Sequence, residues 1–201
     1  PLFHIGKKRV FVLKPPYLRR SFQTQKRVSE IVAETLEGTF YLTMTAMIFA
    51  TFFGVIFGMI AALNQNNFWD HLMVGGSTLG VSTPSFVAAL LISVTFGFYL
   101  APYTGLNMTG YMWKLGADGY TLDLKNLVLP AFTLGIRPLA IITQLTRSSM
   151  LEVMSQDYIR TAKAKGLGKT TIIFKHALKN AMNPVITAVS GWLASLMAGA
   201  F

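Results

Sequence analysis

The chain contains no cysteine, so it has neither a disulfide framework nor a thiolate metal site. Its three histidines, His4, His71 and His176, stand far apart, and none has a partner at the spacing of a paired metal ligand. Charge is scarce as well. Asp, Glu, Lys and Arg make up 13% of the 201 residues, about half of the roughly 25% usual in soluble domains. Carboxylates are rarest, with 8 Asp and Glu against 18 Lys and Arg, a formal net charge of +10. No pairing of base and nucleophile is visible, and Asp70 with His71 reads as a lone pair at a loop. An enzyme is therefore disfavoured. The first residues show no charged stretch followed by an apolar one, so no signal peptide is apparent. The sequence runs from Pro1 to Phe201, inside an apolar run, and is expected to be a fragment of a longer polypeptide.

What is present is apolar: 52% hydrophobic residues and a mean hydropathy of +0.48. Four long runs stand out, roughly Thr39 to Leu63, Leu72 to Leu100, Leu127 to Leu145, and a last one from near Pro184 to the end. A bilayer-crossing helix needs about 20 apolar residues. The runs are too long for barrel strands and do not alternate with period two, so helices follow. The fold class is therefore all-α, a polytopic transmembrane helix bundle. Gly54 and Gly58 form a G-x-x-x-G in the first run, and Gly75, Gly76 and Gly80 crowd the second with serines and threonines. Small residues let helix backbones approach, and hydroxyls can bond across helices. Pro84 should kink the second span. Arg137 is the only charge within a proposed span and is expected near its cytoplasmic end.

The connections differ in charge. Asn64 to His71 is short and polar. Ala101 to Asn126 holds glycines, tyrosines and Trp113 with only Lys114 and Lys125 offset by Asp118 and Asp123, which suits an ordered loop or short helices at the membrane face. Thr146 to Asn183 carries Arg147, Arg160, Lys163, Lys165, Lys169, Lys175 and Lys179. Positive residues favour the cytoplasm, so this basic connection is expected inside and the aromatic loop outside. Three crossings then place the N-terminal segment outside, against the rule, because it holds Lys7, Lys8, Arg9, Lys14, Arg19, Arg20, Lys26 and Arg27.

Within the basic connection, Ser155 to Lys165 reads as one helix, with Gly166 after its C-terminus. A second helix is expected from near Gly168–Thr170 to about Asn180, with Ile173, Ala177 and Leu178 on one face. Helix, Gly-Leu-Gly turn and helix make a basic knob suited to a groove on a soluble partner. Lying flat on anionic lipid is an alternative for such a segment. DNA binding does not fit the flanking spans. Gly168-Lys169-Thr170 is no phosphate loop, because Lys163 stands where the first glycine is required and no strand precedes it.

The stretch YIRTAKAKGLGKTTIIFKHALKNAMNPVI resembles the cytoplasmic "EAA" loop of binding-protein-dependent ABC importer permeases, and most of all their oligopeptide and dipeptide branch. The matching positions are Asp157, Tyr158, Arg160, Thr161, Ala162, Ala164, Lys165, Gly166, Leu167, His176, Ala177, Asn180 and Pro184. Upstream, Ser82-Thr83-Pro84-Ser85-Phe86, Leu129-Pro130-Ala131 and Arg147-Ser148-Ser149-Met150-Leu151-Glu152 resemble further motifs of that branch. Arg160-Thr161-Ala162 replaces the Glu-Ala-Ala of the general loop, and the proline comes late, at Pro184; both departures fit the peptide branch. The resemblance covers about Glu37 to Phe201.

That resemblance implies an extramembrane, periplasmic segment over 1–36 and a partial importer transmembrane domain over 37–201, with a cytoplasmic helix-turn-helix coupling loop at 147–183. It implies a multi-pass protein of the bacterial inner membrane. Its partners would be a second permease subunit in a heterodimer, two ATP-binding subunits and a periplasmic or lipid-anchored substrate-binding protein. ATP and Mg belong to the partner subunits, and this chain needs no cofactor or metal and contacts no nucleic acid. ATP can drive the bundle between inward- and outward-open states only if its binding is tied to contacts that differ between them. The loop residues above are the expected docking element, with Ala162 and Gly166 small because the partner groove is tight. Thr45, Ser77, Thr78, Ser82, Thr83, Pro84 and Ser190 are the expected pore lining, uncharged as suits a peptide already selected elsewhere. Two other classes compete: a secondary transporter, for which repeats and midplane ionisable residues are wanting, and a membrane scaffold that recruits a partner without transport.

Overall fold

The computed structural model describes residues 3–5, 9–11, 19–110, 113–116 and 119–199. Two compact units result, Pro1–Gly38 and Thr39–Phe201. In the first, strands β1 (Phe3–Ile5) and β2 (Arg9–Phe11) pair antiparallel with Phe3 opposite Phe11. Arg20 and Arg27 form a single antiparallel bridge, and Lys26 meets Glu34 at 3.1 Å. That ion pair is more than half exposed on both sides, so it contributes little. The expectations for Lys7, Lys8, Lys14 and Asp118 fall outside the described residues.

The second unit is helical. Helix α1 (Val28–Leu63) begins before the first apolar run and carries through it. Its end is marked by Asn64, whose backbone and side-chain N–H groups both donate to the Ile60 carbonyl, and by Asn66 in the left-handed region at φ 62°. Helix α2 (Phe68–Ser82) follows, then α3 (Ser85–Val94), which passes into a π turn at Thr95–Tyr99. A short α4 (Ala101–Thr104) closes on Gly105, at φ 64°. The aromatic loop, expected as ordered coil or short helices, also contains a hairpin. Its strands β3 (Trp113–Gly116) and β4 (Gly119–Leu122) pair with Gly116 opposite Gly119. Helix α5 (Lys125–Ser155) is the long central rod. After it come α6 (Asp157–Ala164), α7 (Lys169–Thr171), a π segment at Ile172–Leu178 and α8 (Lys179–Met197).

Two corrections to the expected spans have clear causes. Pro84 does more than kink the second run: α2 and α3 meet at 108°. Thr83 takes extended backbone, at ψ 128°, because a residue before proline is pushed out of the helical region, and Pro84 follows it at ψ 135°. Among the described residues, α1 and α5 are long and apolar enough to cross a bilayer, and the count rises to three if the bent pair is taken as one span. The fourth run is helical as the later part of α8. The second knob helix does not stop near Asn180; α7, the π segment and α8 form one continuous rod through Pro184.

Helix α5 is the hub, packing against α2, α3 and α8. It meets α1 through glycine: a Cβ on Gly54 would lie 2.8 Å from Ile142 Cγ2, and one on Gly58 would lie 2.5 Å from the Thr143 carbonyl oxygen. Gly135 returns the fit against the Ala46 carbonyl, and Gly80 of α2 sits against Ile136. Close backbone approach thus explains these four glycines. Gly75 and Gly76 do not share the reason, for nothing lies within 4 Å of where their Cβ atoms would be. One apolar cluster, with Met47, Ala50, Ile142, Val185 and Leu196 buried, joins α1, α5 and α8.

The hydroxyls of the expected pore residues bond within their own helices. Thr45, Ser77, Thr78, Ser82, Thr83 and Ser190 each donate to the carbonyl four residues back in their own helix, at 2.6–2.9 Å. In an apolar surrounding the nearest acceptor is the second lone pair of the carbonyl one turn back, so the local bond wins.

Candidate functional site: a basic elbow and a cavity at the bend

The elbow is built from α6, a tight turn and the start of the α7–α8 rod. Gln156, in extended conformation, ends α5 and caps α6; Asp157 sits in the first turn of α6 and Lys163 in its last, each on the favourable end of the helix dipole. The C-terminus closes as a Schellman motif. The Leu167 N–H donates to the Ala162 carbonyl at 3.3 Å and the Gly166 N–H to the Lys163 carbonyl at 3.0 Å. Gly166 takes φ 76°, a backbone conformation that costs a side-chain-bearing residue about 1–2 kcal/mol. The expected reason for its size, a tight partner groove, is therefore not required: nothing lies within 4 Å of its would-be Cβ, and the left-handed turn alone demands glycine.

Ala162 is likewise set by its own chain. It is 6% exposed and packs in a cluster with Met150, Ile159, Ile172, Ala177 and Ala181. Met59 and Ala62 of α1 and Val153 and Met154 of α5 pack against that cluster, as do Ile173 and Leu178. The expected apolar face of the second helix exists and points inward. Tyr158 and Asn180 are brought together across the elbow, the Asn180 amide donating to Tyr158 Oη and to the His176 carbonyl, each at 3.0 Å. Asp157 and Arg160 pair at 3.2 Å on an exposed face, and the Thr161 hydroxyl donates to the Asp157 carbonyl. Ala164, Lys165, Lys169, Lys175, Lys179 and Pro184 are exposed, and His176 is half-buried. Three large apolar side chains stand out at the surface: Tyr158, Leu167 and Phe174.

Beside the elbow lies a pair that sequence reading missed. Arg147 of α5 donates from Nε to Asp70 Oδ1 at 2.6 Å and from Nη2 to Oδ2 at 2.7 Å. Asp70 also accepts the Asn66 N–H at 2.9 Å and is 2% exposed. Its role as a loop residue is overturned: a two-point guanidinium–carboxylate fork fastens the start of α2 to the inner part of α5. The two residues are 77 positions apart, and nothing local in the sequence links them.

Two cavities flank the α2–α3 bend. One, of about 760 Å³, opens between the bend, the α4–α5 connection and α5, with Thr83, Asn107, Asn126 and Arg137 on its wall. The other, of about 730 Å³, is lined chiefly by aromatic and aliphatic groups such as Phe49, Phe53 and Phe132, with Ser77 and Thr83. Of the expected pore residues, Thr83 faces both spaces and Ser77 the apolar one. Thr45, Thr78, Ser82, Pro84 and Ser190 line neither. Arg137 lies about 15 Å along α5 from Arg147 and about 18 Å from Lys125, at mid-helix. Among the described residues no group of three or more His, Asp or Glu is placed to hold a metal ion.

Apolar spans around a hub, a broken helix beside a cavity and a basic elbow fastened to the bundle define a polytopic helical membrane protein. The family model for the binding-protein-dependent transport system inner membrane component matches residues 54–201. The chain belongs to that family, and it is a multi-pass protein of the bacterial inner membrane. It is 41% identical over 180 residues to the dipeptide transport system permease protein DppB of Bacillus subtilis, covering 88% of this chain and 54% of the relative. To the protein of the same name in Escherichia coli K12 it is 38% identical over 200 residues, covering 90% and 58%. To the glutathione transport system permease protein GsiC of Salmonella paratyphi A it is 35% identical over 179 residues, covering 89% and 54%. The chain spans about half the length of the relatives it matches.

Proposed function

We propose that this chain is part of the permease subunit of an ABC importer and forms the membrane path for dipeptides, oligopeptides or a related small solute. The observation that carries the reading is the elbow. A basic knob with exposed Tyr158, Leu167 and Phe174 is joined by one buried cluster to the ends of α1 and α5. A force on the knob therefore reaches the bundle without passing through a soft loop. The relatives, named for dipeptide and glutathione transport, support the cargo class.

On this reading the chain does no covalent chemistry. Of two ATP-binding subunits, one grips this chain's elbow on the cytoplasmic side, through Tyr158, Arg160, Lys165, Leu167 and their neighbours. A second permease subunit completes the path as a heterodimer, and a periplasmic or lipid-anchored binding protein delivers cargo. ATP closure then favours one state of the bundle because the elbow's contacts differ between states. Residues 1–36 lie on the periplasmic side.

Vesicles holding the full complex test this directly. Uptake of a radiolabelled dipeptide should require both ATP inside and loaded binding protein outside. Uptake driven by an ion gradient without ATP, or a complex that retains no ATPase on purification, would overturn the reading. A bulky residue at Gly166 should lower ATP-driven uptake while the protein still reaches the membrane.

A further inference from the structure

We propose that Arg137 receives the free carboxylate of a short peptide in the cavity at the α2–α3 bend. The inference rests on the importer reading and adds to it a cargo contact inside the membrane path. A guanidinium on an apolar membrane-spanning helix is retained where it faces the bundle interior or water, and such residues mark substrate pathways. Arg137 meets that condition: it lines the 760 Å³ cavity. That volume falls within the range of about 300–1,000 Å³ typical of small-molecule sites.

The contrast with Arg147 on the same helix is informative. Arg147 is neutralised inside the chain by a two-point bond to Asp70. Among the described residues Arg137 has no hydrogen bond or ion pair, and no carboxylate lines its cavity. The planar fork that holds Asp70 at one end of α5 is thus presented, unfilled, to an open space further along. Its geometry matches a carboxylate better than a point anion.

The rest of the wall suits the other polar groups of a peptide. The Thr83 and Thr133 hydroxyls spend their protons on the Leu79 and Leu129 carbonyls, which leaves their oxygens as acceptors. Pro138 supplies no amide to the Leu134 carbonyl, so that acceptor lacks its usual helical donor. Asn107 and Asn126 hold one another at 2.9 Å and fix the polar side of the space. One cationic fork facing several neutral acceptors complements a molecule with a carboxylate and N–H donors, and gives no second positive group for a phosphate.

The test uses the complete transporter in vesicles, with binding protein supplied at saturation as preformed complexes of a dipeptide or of the same dipeptide amidated at its C-terminus. Saturation removes the binding protein's own preference from the rate. Arg137→Gln should slow the free-acid peptide about ten-fold more than its amide, the loss expected of one hydrogen-bonded charge pair. Arg137→Lys, which keeps the charge, should recover most of the free-acid rate. Equal slowing of both cargoes would mean that Arg137 serves packing or pairs with another subunit, and would overturn the proposal. So would an unchanged ratio at normal rates; in either case the importer reading stands. A wild-type complex that moves neither cargo defeats the importer reading and this inference with it.

Discussion

The two ends of α5 live under different rules. At the end bearing Arg147, Met150 and Ser155, the helix is clasped by glycine contacts, a buried ion pair and the elbow's apolar cluster. Towards the bend, its neighbour α3 buries no residue at all, and cavities open on both sides of Thr83. Dense packing transmits force because close-packed side chains have no slack. Open, polar-edged space does the opposite. A single helix thus joins a close-packed region to an open one.

Variants at the clasped end should be costly and those at the elbow's surface mild. The largest effect is expected at Asp70. Asp70→Ala leaves Arg147 without its partner, a loss of about 3 kcal/mol or more. The detergent-purified complex should lose its monodisperse form at a clearly lower temperature. The double variant Asp70→Leu with Arg147→Met should regain much of that loss, because no lone charge remains. If the double variant is worse than the single one, the fork does more than hold the helices together.

Next comes Gly58→Val. Its side chain must displace the Thr143 carbonyl and Thr146, so overpacking of about 2 kcal/mol is expected, read as a lower melting temperature and reduced membrane yield. Gly75→Val, in open space on α2, serves as the control and should be near neutral. Equal damage at both sites would break the contrast between clasped and open regions.

Smaller still is Gly166→Ala. Only the left-handed backbone opposes it, at about 1 kcal/mol, and Gly166→Asn should cost less than the alanine variant. Tyr158→Phe is the mildest. It removes one exposed hydrogen bond to Asn180, so a change of about 0.5 kcal/mol or less in stability is expected. Any large fall in ATP-driven uptake by that variant would then report the docking surface rather than the fold.

Much of this contrast was legible in the residues. Apolar length announced α1 and α5, and the Gly166 cap was readable because a Schellman turn uses only neighbours in sequence. Gly54 and Gly58 announced a close helix contact, though not that α5 would be the partner. Pro84 marked the break in α2–α3 but not its angle, since a proline fixes local dihedrals and packing decides how far the chain swings. Asp70 stayed hidden because its meaning lies 77 positions away. The hydroxyls misled for a related reason: a serine or threonine carries no sign of whether its proton goes to its own helix or to another. Ala162 misled too, for a small residue facing a cluster of its own chain looks the same in sequence as one facing a partner.

From Lys169 to Met197 the chain is one unbroken stave, π turns included. Its span is about 40 Å at helical rise. A tilt of about ten degrees at the basic end therefore sweeps the far end through about 7 Å. Levers amplify, so on the proposed importer reading a nudge delivered at Lys169 would arrive at Leu196 as a stroke comparable to the width of a peptide.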